Sequence, residues 1–234
     1  MGIKGSGDPT LTEIDRYDGG VGWIAYPDEG MERASHAITT PGDAAGGAEA
    51  DVWVLDPVDA PGVDDLLAEL GTVAGVVCCL ERHQRDSDTI ANRHNVAVHV
   101  PTWMDGVESD LDAPVERFQK TVANTDIRSI RVLNRDVPPW QEAGLFDGET
   151  LYVAESVGTA DYFRAGDEAL GVHPMLRLFP PRQVFDDVRP ERVIVGHGEG
   201  VHDKAARALR EALASSRRKA PQAYAGALKS ILTG

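Results

Sequence analysis

The segment Glu81-Arg82-His83-Gln84-Arg85-Asp86 sets two carboxylates, two guanidiniums and one imidazole in a single polar turn. It follows Val73 to Leu80, an apolar and β-branched run that suits a buried strand. In open α/β sheets ligands bind beyond the carboxyl ends of strands. Chemistry is therefore expected first in this loop. A second candidate is His197, set between Gly196 and Gly198 after the apolar run Val193-Ile194-Val195. Glycines there let the backbone approach a site closely, although a plain strand-to-helix turn would use the same residues. A third is Glu155, which closes the run Leu151-Tyr152-Val153-Ala154.

The elements that must position these groups can be read from the pattern. Val52 to Leu55 is a short strand stopped by Asp56-Pro57, because proline neither donates to a ladder nor continues a helix. Val63, Leu66, Leu67 and Leu70 recur at helical spacing, with Gly71 as a stop. A helix and a further strand are expected between the polar loop and Val100. Before this region, residues 1–20 read as a loosely held arm, 21–26 and 34–39 as strands, and 41–50 as a Gly/Ala loop. After it, 101–114 reads as a loop lying over the site and 115–122 as a short helix. Strands are expected over 129–133 and 140–146, with Asp147-Gly148 as a hairpin turn into a strand ending at Glu155. Ala205, Leu209 and Leu213 mark an amphipathic helix, and 223–232 a second one. Residues 21–234 are read as a single domain.

Composition excludes some classes. The chain of 234 residues has net charge −15, from 38 acidic and 23 basic side chains, and only five of the latter are lysine. An acidic surface poor in lysine suits a saline cytoplasm, where carboxylates hold water and cations under strong screening. It opposes a nucleic-acid partner, which needs a basic stripe. No apolar run approaches the ~20 residues that cross a bilayer, so no membrane partner is expected. Cys78 and Cys79 are neighbours on a strand and point to opposite faces, which reads as two buried thiols.

Taken together, strand–Asp56–Pro57, a helix, an apolar strand opening into a His83-containing loop, a later strand–Glu155 pair and a late Gly196-His197-Gly198 resemble the metallo-β-lactamase superfamily. The resemblance spans roughly residues 20–215. It implies an αββα sandwich, two mixed β-sheets flanked by helices. That family carries His-x-His-x-Asp-His in its first loop and binds one or two metal ions. Here the four motif positions are taken by Glu81, His83, Arg85 and Asp86, so one histidine stands in place. The resemblance leaves His83, Asp86, Glu155 and His197 as metal ligands, with Glu81, Arg82, Arg85 and His173 lining the site.

Arg85 stands where the family has an aspartate. A guanidinium is permanently charged, and beside a cation it is repelled by about 4 kcal/mol per unit charge at about 4 Å and an effective dielectric near 20. Two readings follow. In the first, arginine–carboxylate pairs replace the metals, and the protein is non-catalytic or a binding member that takes a small-molecule ligand. In the second, one divalent metal, zinc by its usual donors, serves a divergent mononuclear hydrolase of a small ester, thioester or lactone. A homo-oligomeric scaffold is a further class. Whether the chain is an enzyme stays open between these readings.

Overall fold

A computed structural model describes residues 7–42 and 49–233, with side chains through 225. Residues 1–6 and part of the 41–50 loop read from the sequence lie outside the described residues. Two mixed sheets pack face to face. The first has seven strands in chain order: β1 (Thr12–Tyr17), β2 (Gly20–Ile24), β3 (Ala34–Thr40), β4 (Asp51–Leu55), β5 (Thr72–Val77), β6 (Val98–Pro101) and β7 (Val115–Phe118). Pairing is antiparallel from β1 to β4 and parallel from β4 to β7. The parallel half needs crossovers, and α1 (Val63–Ala68) and α2 (Ser87–His94) supply two of them.

The second sheet contains β8 (Arg128–Asp136), β9 (Pro139–Phe146), β10 (Thr150–Val153) and β13 (Arg192–Val195), in the order β13-β10-β9-β8. A small pair, β11 (Val157–Gly158) with β12 (Gly171–Val172), sits between β10 and β13 in the chain. The long α3 (Ala205–Thr233) covers the outer face of this sheet. Among the described residues no helix is long and apolar enough to cross a membrane.

Burial shows why these runs became strands. Trp53, Leu55, Val77 and Cys79 point into the layer between the sheets. Val52, Val54, Val76 and Cys78 point the other way, under α1 and α2 with Leu67 and Ile90. Both faces of the central strands are therefore covered, which is what a parallel sheet requires. The outer layer is held by apolar burial at roughly 25 cal/mol per Å², not by charge.

Three expectations are corrected. Thr12–Tyr17 is not loose arm but edge strand β1, clasped by Asp15, whose carboxylate accepts from Gly200 N–H and lies 2.6 Å from His202 Nε2. Val115–Phe118 is strand and not helix, because its neighbour β6 offers an open parallel edge. The 205–233 stretch is one helix that runs through Pro221, not two. The 101–114 segment buries Met104, Val107 and Ala113 in the outer layer instead of lying free over the cleft. It reaches the rim only through Trp103 O and Asp105 N–H, both bonded to the Gln141 side chain.

Candidate functional site

The carboxyl ends of β4, β5, β10 and β13 meet at one edge of the sandwich, as the sequence pattern anticipates. Asp56 follows β4 with a left-handed φ of 43°, and its side chain is fully buried. One carboxylate oxygen accepts from Cys79 N–H at 2.8 Å. The other accepts from Tyr152 O–H at 2.7 Å and faces His83 Nδ1 at 3.3 Å. Burial pushes the Asp56 carboxyl up to about 6, against the pull of the Arg85 guanidinium. Above that pH the carboxylate accepts from both neighbours, so the His83 proton sits on Nδ1 and the Nε2 lone pair turns to the cleft.

His197 is presented by the glycines on either side. A Cβ at Gly196 would lie 2.2 Å from Ala154 O, so only glycine lets the end of β13 run this close to β10. Gly198 has φ 90° and lies against Thr159. His197 Nδ1 donates to Met31 O at 2.9 Å, which again leaves Nε2 as the free lone pair. That Nε2 is buried and has no hydrogen-bond partner. Burial, then the neighbouring His83 and Arg85, hold His197 well below the usual histidine range. Burial and the arginines Arg85, Arg82 and Arg33 do the same for His83. Both imidazoles are therefore neutral. Phe163 stacks on His197 at 5.2 Å and closes that side.

Glu155 completes the group. Its Oε2 lies 3.6 Å from His83 Nε2 and 2.8 Å from Arg82 Nη2, and its Oε1 lies 3.6 Å from His173 Nε2. Burial raises this carboxyl to about 7, Arg82 opposes the rise, and buried Glu142 adds to it. Glu142 also fixes the turn, since one of its oxygens accepts from both Glu155 N–H and Ser156 N–H and the other from Trp140 Nε1–H. His173 accepts at Nδ1 from Met175 N–H, so its proton is on Nε2 and faces Glu155. Burial, then Arg82 and Arg135, bring His173 down to about 3.

Arg85 also has a left-handed φ, 44°. Its Nη1 donates to Ala34 O at 2.7 Å and Asp56 O at 2.8 Å, and its Nη2 donates to Gly196 O at 3.1 Å. Nη2 lies 3.5 Å from His83 Nε2. A positive group is thus fixed inside the site by backbone alone.

Of the four ligands that the resemblance implies, three converge. Donor atoms of His83, Glu155 and His197 all lie within 4.8 Å of one another. Asp86 does not join them. Its carboxylate accepts from Asp59 N–H at 2.8 Å, and its backbone opens α2. Glu81 braces β9 through Gln141 N–H at 2.7 Å and pairs with Arg82. Arg82, Arg85 and His173 line the group. Sequence reasoning missed Asp56, Tyr152 and Glu142 as anchors. The signal for Asp56 was present, a strand ending in Asp-Pro, and for Glu142 it was an acid within an otherwise apolar strand.

The donor set fits one divalent ion and not two. Two imidazoles oriented through acceptors at Nδ1, plus one carboxylate, are a known zinc ligand combination. A second ion would draw on Glu81, Arg85 and Asp86. Two of these are committed to backbone N–H groups, and the third is a cation.

No family model and no curated protein sequence matches the chain. Solved structures do. A metallo-β-lactamase, DIM-1 exposed to ceftazidime, is 12% identical, over 93% of this chain and 100% of that one, with a TM-score of 0.58. TMB-1 is 12% identical over 92% and 99%, at 0.57. A putative diflavin flavoprotein fragment from Nostoc sp. PCC 7120 is 12% identical over 95% and 100%, at 0.51. With two mixed sheets face to face, helices outside and the candidate site at the strand ends, the chain has the metallo-β-lactamase fold.

Proposed function

We propose that this is a metallo-β-lactamase-fold binding protein in which built-in guanidinium charge replaces the metal pair, and whose cleft takes a small ligand without two-metal hydrolysis. The observation that carries this reading is Arg85, held by the carbonyls of Ala34, Asp56 and Gly196 with Nη2 beside His83 Nε2. Asp56 and Glu155 are balanced by Arg85 and Arg82, so the site is neutral as it stands. A dication added there meets a repulsion of about 8 kcal/mol from one guanidinium at about 4 Å and an effective dielectric near 20. The test is metal analysis of the purified full chain, followed by loading with zinc, manganese and iron(II). Less than about 0.1 equivalent after dialysis is expected. About two equivalents would sink the reading.

One observation favours a second reading, a mononuclear metal-dependent hydrolase. His197 Nε2 is buried with nothing to bond, and His83 and Glu155 lie beside it. If these three held a zinc ion, the ion would supply a water of lowered pKa. His83 and His197 would contribute neutral lone pairs, Asp56 and Met31 O would hold their tautomers, and Phe163 would exclude water. About one equivalent of metal, lost on His197→Ala, would select this reading over the first.

A further inference from the structure

The arginines at the rim of this site are anomalous for so acidic a protein. The chain carries net charge −15, and most arginines are neutralised on the surface, as in Arg128 with Asp187 and Arg93 with Asp59 and Asp64. Arg135 is not. It forms no ion pair among the described residues, and its Nε is buried with no hydrogen-bond partner. Its guanidinium carbon lies 5.6 Å from the centre of the Trp140 ring, which also carries Arg82 at 4.2 Å. Trp140 is buried against His173, with ring centres 5.0 Å apart, and His173 Nε2 leads to Glu155. Two cations are therefore fixed on one indole at the edge of the candidate site, and one has an unused donor face.

Both guanidiniums act inward, since both depress His173. Excess positive charge held in place where acids are plentiful points to a ligand that brings its own negative charge. Planar, rigid donor forks match carboxylate and phosphate oxygens. Stacking on Trp140 removes the orientational freedom that a free arginine would lose on binding.

Resting on the binding-protein reading above, we infer that Arg135 and Arg82, stacked on Trp140, form an oxyanion subsite, so that the ligand of this cleft is a small organic acid or a phosphate-bearing compound. His173 Nε2–H is the next donor along the path toward Glu155.

The experiment uses the full chain, stripped of metal and dialysed free of chelator, at low ionic strength. Succinate, inorganic phosphate and the neutral succinamide are titrated by calorimetry and tryptophan fluorescence. Saturable binding of an anion with Kd below ~1 mM, and none of succinamide, is expected. Arg135→Gln should weaken it by at least ~10-fold, and Arg82→Gln should also weaken it. The exposed Arg210→Gln, which makes the same charge change on α3, should not. The order of succinate and phosphate then identifies which oxyanion the subsite prefers. Absence of saturation by either anion up to ~20 mM, or wild-type affinity in a folded Arg135→Gln, would overturn the inference. The metal content of the same samples tests the underlying reading separately. A protein that retains about one equivalent of metal defeats that reading, while the dependence on Arg135 is still decided by the titration.

Discussion

Arg85 Nη2 lies 3.5 Å from His83 Nε2, and the guanidinium reaches that place by bonding three main-chain oxygens on three different segments. Ala34 belongs to β3, Asp56 follows β4, and Gly196 follows β13, so one side chain ties both sheets together at the site. Removing it leaves three carbonyls short of a donor. Arg85→Ala is expected to lower unfolding free energy by about 3 kcal/mol, at about 1–3 kcal/mol for each buried group left unpaired. Arg85→Lys should recover only part, because one ammonium cannot serve three carbonyls in a plane. Urea denaturation of the three proteins checks both statements; equal midpoints for wild type and Arg85→Ala would contradict them.

The Glu155 carboxyl titrates near 7 in the folded protein because burial disfavours its charge. In the unfolded chain a glutamate titrates near 4.3. A raised folded value means that stability is fully present below about 4.3 and is lost as pH rises through 7. Glu155→Gln removes this dependence. Relative to wild type, the variant should gain about 2–3 kcal/mol between pH 5 and pH 8. The comparison subtracts the opposing histidine contributions, which act in both proteins. Denaturation curves at the two pH values decide it, and a difference that does not grow with pH would contradict the assignment.

Far from the cleft, Arg177 and Glu168 form a fully enclosed ion pair, and Arg177 Nη2 also donates to Phe163 O. Ser216 of α3 donates to Arg177 O at 2.8 Å. The pair therefore anchors the long segment between β12 and β13 to the last helix. Glu168→Ala should cost about 3–5 kcal/mol, since it strands a buried cation. Replacing both partners together, as Glu168→Leu with Arg177→Met, should cost clearly less than that. Thermal melts of the single and double variants test the ordering.

Gly196 has no room for a methyl group, with Ala154 O at 2.2 Å from a built Cβ. Gly196→Ala should shift the end of β13, destabilise by about 2 kcal/mol or more, and displace His197. A well-folded variant with wild-type melting temperature would show that the strand ends can part without cost.

The acidic surface yields a salt prediction. Mutual repulsion of carboxylates weakens as screening length falls from about 10 Å at 0.1 M to about 3 Å at 1 M. Melting temperature should climb steadily with potassium chloride up to molar concentrations. A flat profile would remove the case for a saline setting.

Much of the fold was legible in the sequence because its strands are uniformly apolar and their stops are chemical. Asp56-Pro57, Gly71 and Asp147-Gly148 each end an element for a local reason. His83, Glu155 and His197 were legible because each sits directly after such a strand. Asp86 was misplaced because spacing along a loop does not fix direction. One residue after the left-handed turn at Arg85, its carboxylate faces Asp59 and not the cleft. Thr12–Tyr17 and Val115–Phe118 were misread because they are edge strands, whose pairing is set by a distant neighbour and leaves little mark on local composition. Glu142 escaped notice because an acid inside a strand looks like a solvent-facing position until its three donors are seen.

The adjacent thiols of Cys78 and Cys79 belong to different apolar layers, one beneath the helices and one between the sheets. The first sheet is thus a wall with a natural reporter on either side. Modification rates of the two sulfurs, followed separately by mass spectrometry, would tell whether the halves of this molecule breathe together or whether one compartment opens while its neighbour stays shut.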